Sequence, residues 1–212
     1  MTVLAQLAER LQQGDAPGVA QLTRAAITEG VEPRVILDSG LIAGMNVVGA
    51  RFKSHEIYLP DVLLAAKAMY AGMDLLKPLM IRDGIPSRGR VVMGTVQGDM
   101  HDIGKNLVSI MLRGAGFEVV DLGKDVPPER FIQAAIESNA GVIGLSALLT
   151  TTMPGMRRVV ELARERQLQG KTRVIVGGAP LSREYARDIG ADAYCFDGTS
   201  AVDCVKSIFG VS

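Results

Sequence analysis

His101, one of only two histidines in the 212-residue chain, stands two residues after Asp99 and three before Gly104. The segment is VQGDMHDIGKNLV, residues 96–108. An imidazole can ligate a metal or carry a proton at neutral pH. A nearby carboxylate that accepts its second ring N–H orients the ring and makes the free nitrogen a better donor. Other groups with chemical capacity fall in two later stretches. GLSALLTTTM holds Ser146, Leu148, Thr150, Thr151 and Thr152, and VGGAP holds Gly177 and Gly178. For a lone Asp-x-His the plain reading is a helix cap and a surface histidine. Three such turns, each at the end of its own apolar run, weigh against it.

Several other chemistries do not fit. The Gly98–Gly104 spacing is one residue too long for a phosphate-binding P-loop, and Asn106 follows Lys105 where Ser or Thr is required. No G-x-G-x-x-G follows the first strand, which argues against a nicotinamide cofactor. The acidic pair and distal lysine of a phosphorylated aspartate site are not evident. Ser146 lacks the nucleophile elbow G-x-S-x-G. Cys195 and Cys204 lie nine positions apart with no CxxC, so no zinc site of ordinary spacing forms; both are expected as small buried residues.

The elements that position these residues follow from period. Up to residue 82, LAQLAERLQ, GVAQLTRAAITEG, PRVILDSGLIAGMNVVGARF and LPDVLLAAKAMYAGMDLLKPLM repeat apolar residues at helical spacing. A four-helix bundle over 1–82 is expected, with Pro17, Pro33 and Pro60 near helix starts. Stripes rich in Ala, Gly and Met imply some closely packed faces. IRDGIPSRG, with Gly84, Pro86 and Gly89, marks a linker over 83–89 and a plausible hinge. From 90 to 212, β-branched runs at 90–96, 117–123, 141–146, 173–178 and 192–196 alternate with helical stretches. That order predicts a five-stranded parallel sheet, Rossmann-like and flavodoxin-like, with helices on both faces and ligand chemistry at the carboxyl ends of the strands.

Bulk properties bound the function. Lys plus Arg and Asp plus Glu both number 23, giving no bulk attraction to nucleic acid or anionic membranes. No uninterrupted apolar run approaches the ~20 residues of a membrane span. The first residues read as an amphipathic helix and not as a signal peptide, so a cytoplasmic protein is expected.

The pattern Asp99-x-His101-x-x-Gly104, then Ser146-x-Leu148, then Gly177-Gly178, resembles the signature of cobalamin-binding domains that hold the corrinoid through a protein histidine. GDMHDIGKN, GLSALLTTTM and VGGAP are similar to the turns of the methionine synthase cobalamin module and of methyltransferase corrinoid proteins. LIAGMNVVGARFKSHEIYLPDVLLAAKAM resembles their helical cap. Size and two-part layout look most like a di- or trimethylamine corrinoid protein.

The resemblance implies that His101 ligates cobalt in place of the cofactor's own benzimidazole. Asp99 then supports the ring. Gly104, Gly177 and Gly178 open a slot for the displaced nucleotide tail, and Ser146 lines it or bonds the base. Gly98, Met100, Asp102, Leu148 and Thr150 belong to the same cofactor-binding turns. A proton relay is implied through Asp99; its third member in methionine synthase is a serine, and the matching position here is Thr152. Tyr58 falls where the family places an aromatic residue over the upper cobalt face, with Ala65 and Ala68 facing the same way or else packing inside the bundle. His55 reads as a surface residue.

The implied role is a methyl carrier, with methylcobalamin as its loaded form and no substrate-activating groups of its own. A substrate-specific methyltransferase would load it. A methylcorrinoid:thiol or methylcorrinoid:tetrahydropterin methyltransferase would unload it, and a reductive activator would restore it. Two rivals share the motif: a cobalamin light sensor, which joins a DNA-binding domain absent from this sequence, and a subunit of an adenosylcobalamin isomerase, which normally lacks the helical cap. The upper ligand separates them, methyl or none for a carrier and adenosyl for the others.

Overall fold

The computed structural model describes residues 2–84 and 87–211; Ile85 and Pro86, inside the expected linker, lie outside the described residues. The chain divides into two compact units. One runs through Ser87 and includes Arg113–Gly116; the other comprises Arg88–Leu112 and the chain from Phe117 onward.

The first unit is helical. It contains α1 (Val3–Gln12), α2 (Ala16–Thr28), α3 (Pro33–Ile36), α4 (Ala43–Lys53) and α5 (Leu59–Arg82). Between α3 and α4 the helix does not stop but widens into a π-helical segment, Leu37–Ile42, so Pro33–Lys53 forms one rod. That rod is long and apolar enough to cross a membrane by length and composition, although only interrupted apolar residues were expected in the sequence; nearly half of it is buried. The Thr2 hydroxyl accepts the Ala5 N–H and the Asp15 carboxylate accepts the Gly18 N–H, each satisfying an orphan donor of the first turn. Proline occupies the first turn of α2, α3 and α5. Leu7, Leu11, Val19, Ile36, Leu41, Met69 and Leu76 are buried. The small residues make close approach possible: a Cβ on Gly40 would lie 2.5 Å from Leu7 Cδ2, and one on Gly44 would lie 2.9 Å from the Ala8 carbonyl oxygen.

The second unit alternates strand and helix: β1 (Arg90–Thr95), α6 (Ile103–Gly114), β2 (Glu118–Asp121), α7 (Pro128–Ser138), β3 (Val142–Ser146), α8 (Pro154–Glu165), β4 (Arg173–Gly177), α9 (Arg183–Ile189), β5 (Ala193–Cys195) and α10 (Gly198–Phe209). All pairings are parallel and the strand order is β2-β1-β3-β4-β5. On one face Val92, Ile143, Leu145, Val174 and Val176 pack with Phe131, Ile132, Val159 and Val160 of α7 and α8. Residues of alternate parity point to the other face. There Met93 lies under Gly144, Met111 of α6 against Gly198 of α10, and Phe209 against Gly141.

The order reverses direction between β1 and β3, and that switch point is where open parallel sheets bind ligands. Thr95, Ser146, Gly177 and Cys195 form one row in register at the carboxyl edge of β1, β3, β4 and β5. The turns singled out from sequence therefore emerge side by side.

Candidate functional site

Asp99 is the centre of the site. It exposes none of its surface, yet its carboxylate takes five hydrogen bonds. Oδ1 accepts the His101 backbone N–H at 3.0 Å and faces His101 Nδ1 at 2.8 Å. Oδ2 accepts the Leu148 N–H at 2.8 Å, the Leu149 N–H at 3.1 Å and the Thr152 hydroxyl at 2.8 Å. Burial pushes the Asp99 carboxyl up. The Leu148 and His101 N–H groups, the His101 ring and the Thr152 hydroxyl outweigh burial and hold it well below the usual carboxylate range. An ionised Asp99 makes Nδ1 the protonated ring nitrogen, which leaves the Nε2 lone pair as a donor.

Nε2 itself makes no hydrogen bond among the described residues, and the His101 side chain is 50% exposed. The helix-cap reading of Asp99 fails, because its oxygens are committed to the His101 turn and to the β3–α8 turn. The backbone of His101 is tied as well: the buried Thr95 hydroxyl donates to its carbonyl at 3.0 Å.

The turns around this centre are apolar and exposed. Met100, Ile103, Leu148, Leu149 and Phe196 all stand out at the carboxyl ends of strands, Phe196 at 80% exposure. Gly178, at φ +143°, lets the β4 turn approach the β3 turn; a Cβ there would sit 1.8 Å from the Ala147 carbonyl oxygen. Gly177 is similarly close to the Cys195 carbonyl, at 3.0 Å. Gly104 is the opposite case, since a Cβ there would meet nothing within 4 Å. Ser146 is half-buried, Thr150 and Met100 are exposed, and Asp102 contributes its carbonyl to the Asn106 N–H in the first turn of α6. Gly98 takes φ +82° at the bend into the His101 turn.

Some expectations need correction. Ala65 and Ala68 are fully buried while Tyr58 is 68% exposed, so the three do not share an open face. Their burial is the ordinary fate of small residues at helical spacing on α5. Cys195 is buried, but Cys204 is only half-buried, and the two thiols hydrogen-bond each other. That contact raises the Cys195 thiol, further raised by burial, and lowers Cys204. His55 is exposed, at φ +60° in the turn after α4.

Lys105 has a role that no local motif announces. It is buried, and its ammonium lies 2.6 and 2.7 Å from the two Asp121 carboxylate oxygens, which ties the first turn of α6 to the end of β2.

The donor set suits a metal-bearing macrocycle. It offers a single neutral imidazole nitrogen, braced from behind by a carboxylate, within a ring of exposed apolar side chains. No cluster of three His, Cys, Asp or Glu able to hold a bare ion exists among the described residues. A site with one protein ligand therefore fits a metal that brings its other ligands with it. Fold and site together define a Rossmann-like cobalamin-binding protein with a helical N-terminal unit. The B12 binding domain family matches residues 89–206, and a second B12 binding domain family matches residues 3–77. The chain belongs to the B12-binding corrinoid proteins, and its cofactor is a cobalamin.

Known relatives agree. A dimethylamine corrinoid protein 1 of Methanosarcina acetivorans is 46% identical over 94% of this chain and 98% of its own length. A dimethylamine corrinoid protein of Methanosarcina barkeri is 50% identical over 84% of each chain. Among solved structures, the methanol:cobalamin methyltransferase complex of Methanosarcina barkeri superposes with TM-score 0.88 at 30% identity, covering 99% of this chain and 80% of that one. A cobalamin-binding protein from Desulfitobacterium hafniense gives TM-score 0.79 at 30% identity, covering 98% of both chains.

Proposed function

We propose that this protein is a methyl carrier that binds cobalamin with the benzimidazole displaced and His101 Nε2 as the lower ligand. The observation that carries this reading is the His101–Asp99–Thr152 chain, which leaves one ring nitrogen free and aimed away from its own carboxylate. Reduced cobalamin supplies a nucleophilic cobalt able to accept a methyl group from one partner and release it to another.

The chain's own residues set the conditions for that chemistry. Asp99 fixes the ring and its tautomer, so that Nε2 meets the metal without reorganisation. Were no metal bonded to it, Nε2 would be open to a proton, with Asp99 and the Thr152 hydroxyl beside the ring as the members of a relay. Gly104 leaves room for the nucleotide tail, and the Gly177-Gly178 turn, packed against the Ala147 and Cys195 carbonyls, walls its slot, with Ser146, Gly98, Met100, Asp102, Leu148 and Thr150 around it. Tyr58 is the helical unit's candidate for the upper face.

The carrier works with a methyltransferase that presents the methyl donor. We take the donor to be a methylated amine, dimethylamine first, because relatives 46% and 50% identical carry that name. The acceptor enzyme acts on a thiol or a tetrahydropterin, and a reductive activator returns oxidised protein to use. On this reading the carrier is a cytoplasmic protein.

The test is anaerobic reconstitution with hydroxocobalamin, followed by reduction and mixing with candidate methyltransferases and mono-, di- or trimethylamine. Methylation of the bound cofactor only when donor and matching methyltransferase are both present supports the reading. No methyl uptake with any donor, together with tight retention of adenosylcobalamin when that form is offered in a parallel reconstitution, favours an isomerase subunit or a light sensor and overturns it.

A further inference from the structure

We propose that Asp125, in the β2–α7 loop, is the residue that positions the His101 turn, and so sets where the lower ligand stands. The inference rests on the reading of His101 as that ligand.

The turn that carries His101 has little of its own to hold it. After β1 ends at Thr95, Val96 forms a single bridge with Val126, and Gly98 then bends at φ +82°. Asp125 clamps this bend from a different loop, on either side of the Gly98–Asp99 pair. Its carboxylate accepts the Gly98 N–H at 2.7 Å, and its own N–H donates to the Asp99 carbonyl at 3.1 Å. To do both it takes the left-handed conformation, φ +55°, which Asp and Asn tolerate far better than other residues with a Cβ. Asp125 is exposed and touches neither the ring nor its hydrogen bonds, so it acts only through the backbone.

The clamp completes a division of labour. The Asp99 carboxylate ties the turn to the β3–α8 loop, and the Thr95 hydroxyl ties the His101 carbonyl to β1. Asp125 ties Gly98 and Asp99 to the β2–α7 loop. Without it the segment between Val96 and Asp99 loses its only side-chain anchor among the described residues. The freedom gained there passes directly into the Asp99 side chain and the imidazole it braces.

Three substitutions separate the two parts of the clamp. Asp125→Asn keeps an acceptor oxygen and the left-handed preference. Asp125→Gly keeps the backbone conformation and deletes the acceptor. Asp125→Ala deletes the acceptor and resists the conformation. In the cofactor-free protein, amide hydrogen exchange at Gly98 should quicken about tenfold in Asp125→Gly and stay within about twofold of wild type in Asp125→Asn, as the loss of one charge-assisted hydrogen bond implies. Asp125→Ala should be at least as fast as Asp125→Gly. In the cobalamin-loaded protein, the fraction with histidine on the metal should drop in Asp125→Gly and Asp125→Ala and recover in Asp125→Asn.

Unchanged exchange in Asp125→Gly overturns the proposal, whatever the cofactor does. Equal losses in Asp125→Asn and Asp125→Gly overturn it too, because then the acceptor is not what matters. If the wild-type protein never shows histidine on the metal, the reading of His101 fails, and the exchange data still decide the role of Asp125 as the anchor of the turn.

Discussion

A carboxylate with five donors around it cannot be exchanged for an amide without loss. In Asp99→Asn one side-chain atom becomes an NH2 group facing either two or three donors. We expect a loss of about 2–4 kcal/mol in denaturant unfolding. The sign of the pH dependence follows from the lowered carboxyl. A folded value below that of a free aspartate, ~4, means the contribution is complete above that range and fades as pH falls toward the folded value. The stability gap between wild type and Asp99→Asn should therefore be flat from pH 6 to 8 and narrow below about pH 4. A gap that widens in acid contradicts the assignment. Thr152→Val should cost about 1 kcal/mol, and Thr152→Ser should recover most of it, since valine lacks the hydroxyl that faces both Asp99 Oδ2 and the Leu149 carbonyl. Asp99 beside His101 was legible in the sequence because the spacing is local, and Thr152 came through the resemblance. Asp125 and Thr95 were not legible. An exposed Asp in a loop and a Thr at a strand end carry no periodic signal, and their roles exist only once β1 and β2 lie together.

Elements were legible where period was strong. The strands expected at 90–96 and 141–146 are found at Arg90–Thr95 and Val142–Ser146, because β-branched runs flanked by glycine leave few alternatives. The π-helical Leu37–Ile42 was not, since an apolar run reads alike at either helical pitch. The glycines of the site divide into two kinds, and their substitutions should divide likewise. Gly178→Ala drives a Cβ into the Ala147 carbonyl from a left-handed backbone, and should cost at least about 2 kcal/mol or prevent folding. Gly104→Ala places a methyl in open space in the first turn of α6, and should raise stability by about 0.5 kcal/mol. If Gly104 lines the nucleotide slot, that same variant should bind cobalamin at least tenfold more weakly. Gain of stability with unchanged affinity would remove Gly104 from the slot. Thermal melts and titration with hydroxocobalamin read the two effects separately.

For the whole molecule, composition excluded more than it identified. Balanced charge offered no pull toward nucleic acid. What remained was a sheet whose reversal of strand order brings residues about 50 positions apart, such as Asp99 and Leu148, to 2.8 Å. That convergence was foreseeable in outline from the βα alternation, while the exposed apolar rim around it was not, because scattered hydrophobics acquire meaning only when the fold gathers them. Binding to the folded state alone should stabilise the protein by about 2.7 kcal/mol at a hundredfold excess of cobalamin over its Kd.

The central claim is that the His101 Nε2 atom bonds to cobalt. Electron paramagnetic resonance of the reduced, cobalt(II) protein tests it most directly, using histidine labelled with nitrogen-15. Only His55 and His101 carry the label, so the readout is nearly specific to one residue. The account predicts superhyperfine splitting that changes from a triplet to a doublet on labelling and disappears in His101→Ala. A triplet that survives labelling would mean that the cofactor's own benzimidazole remains on the metal, and would contradict it.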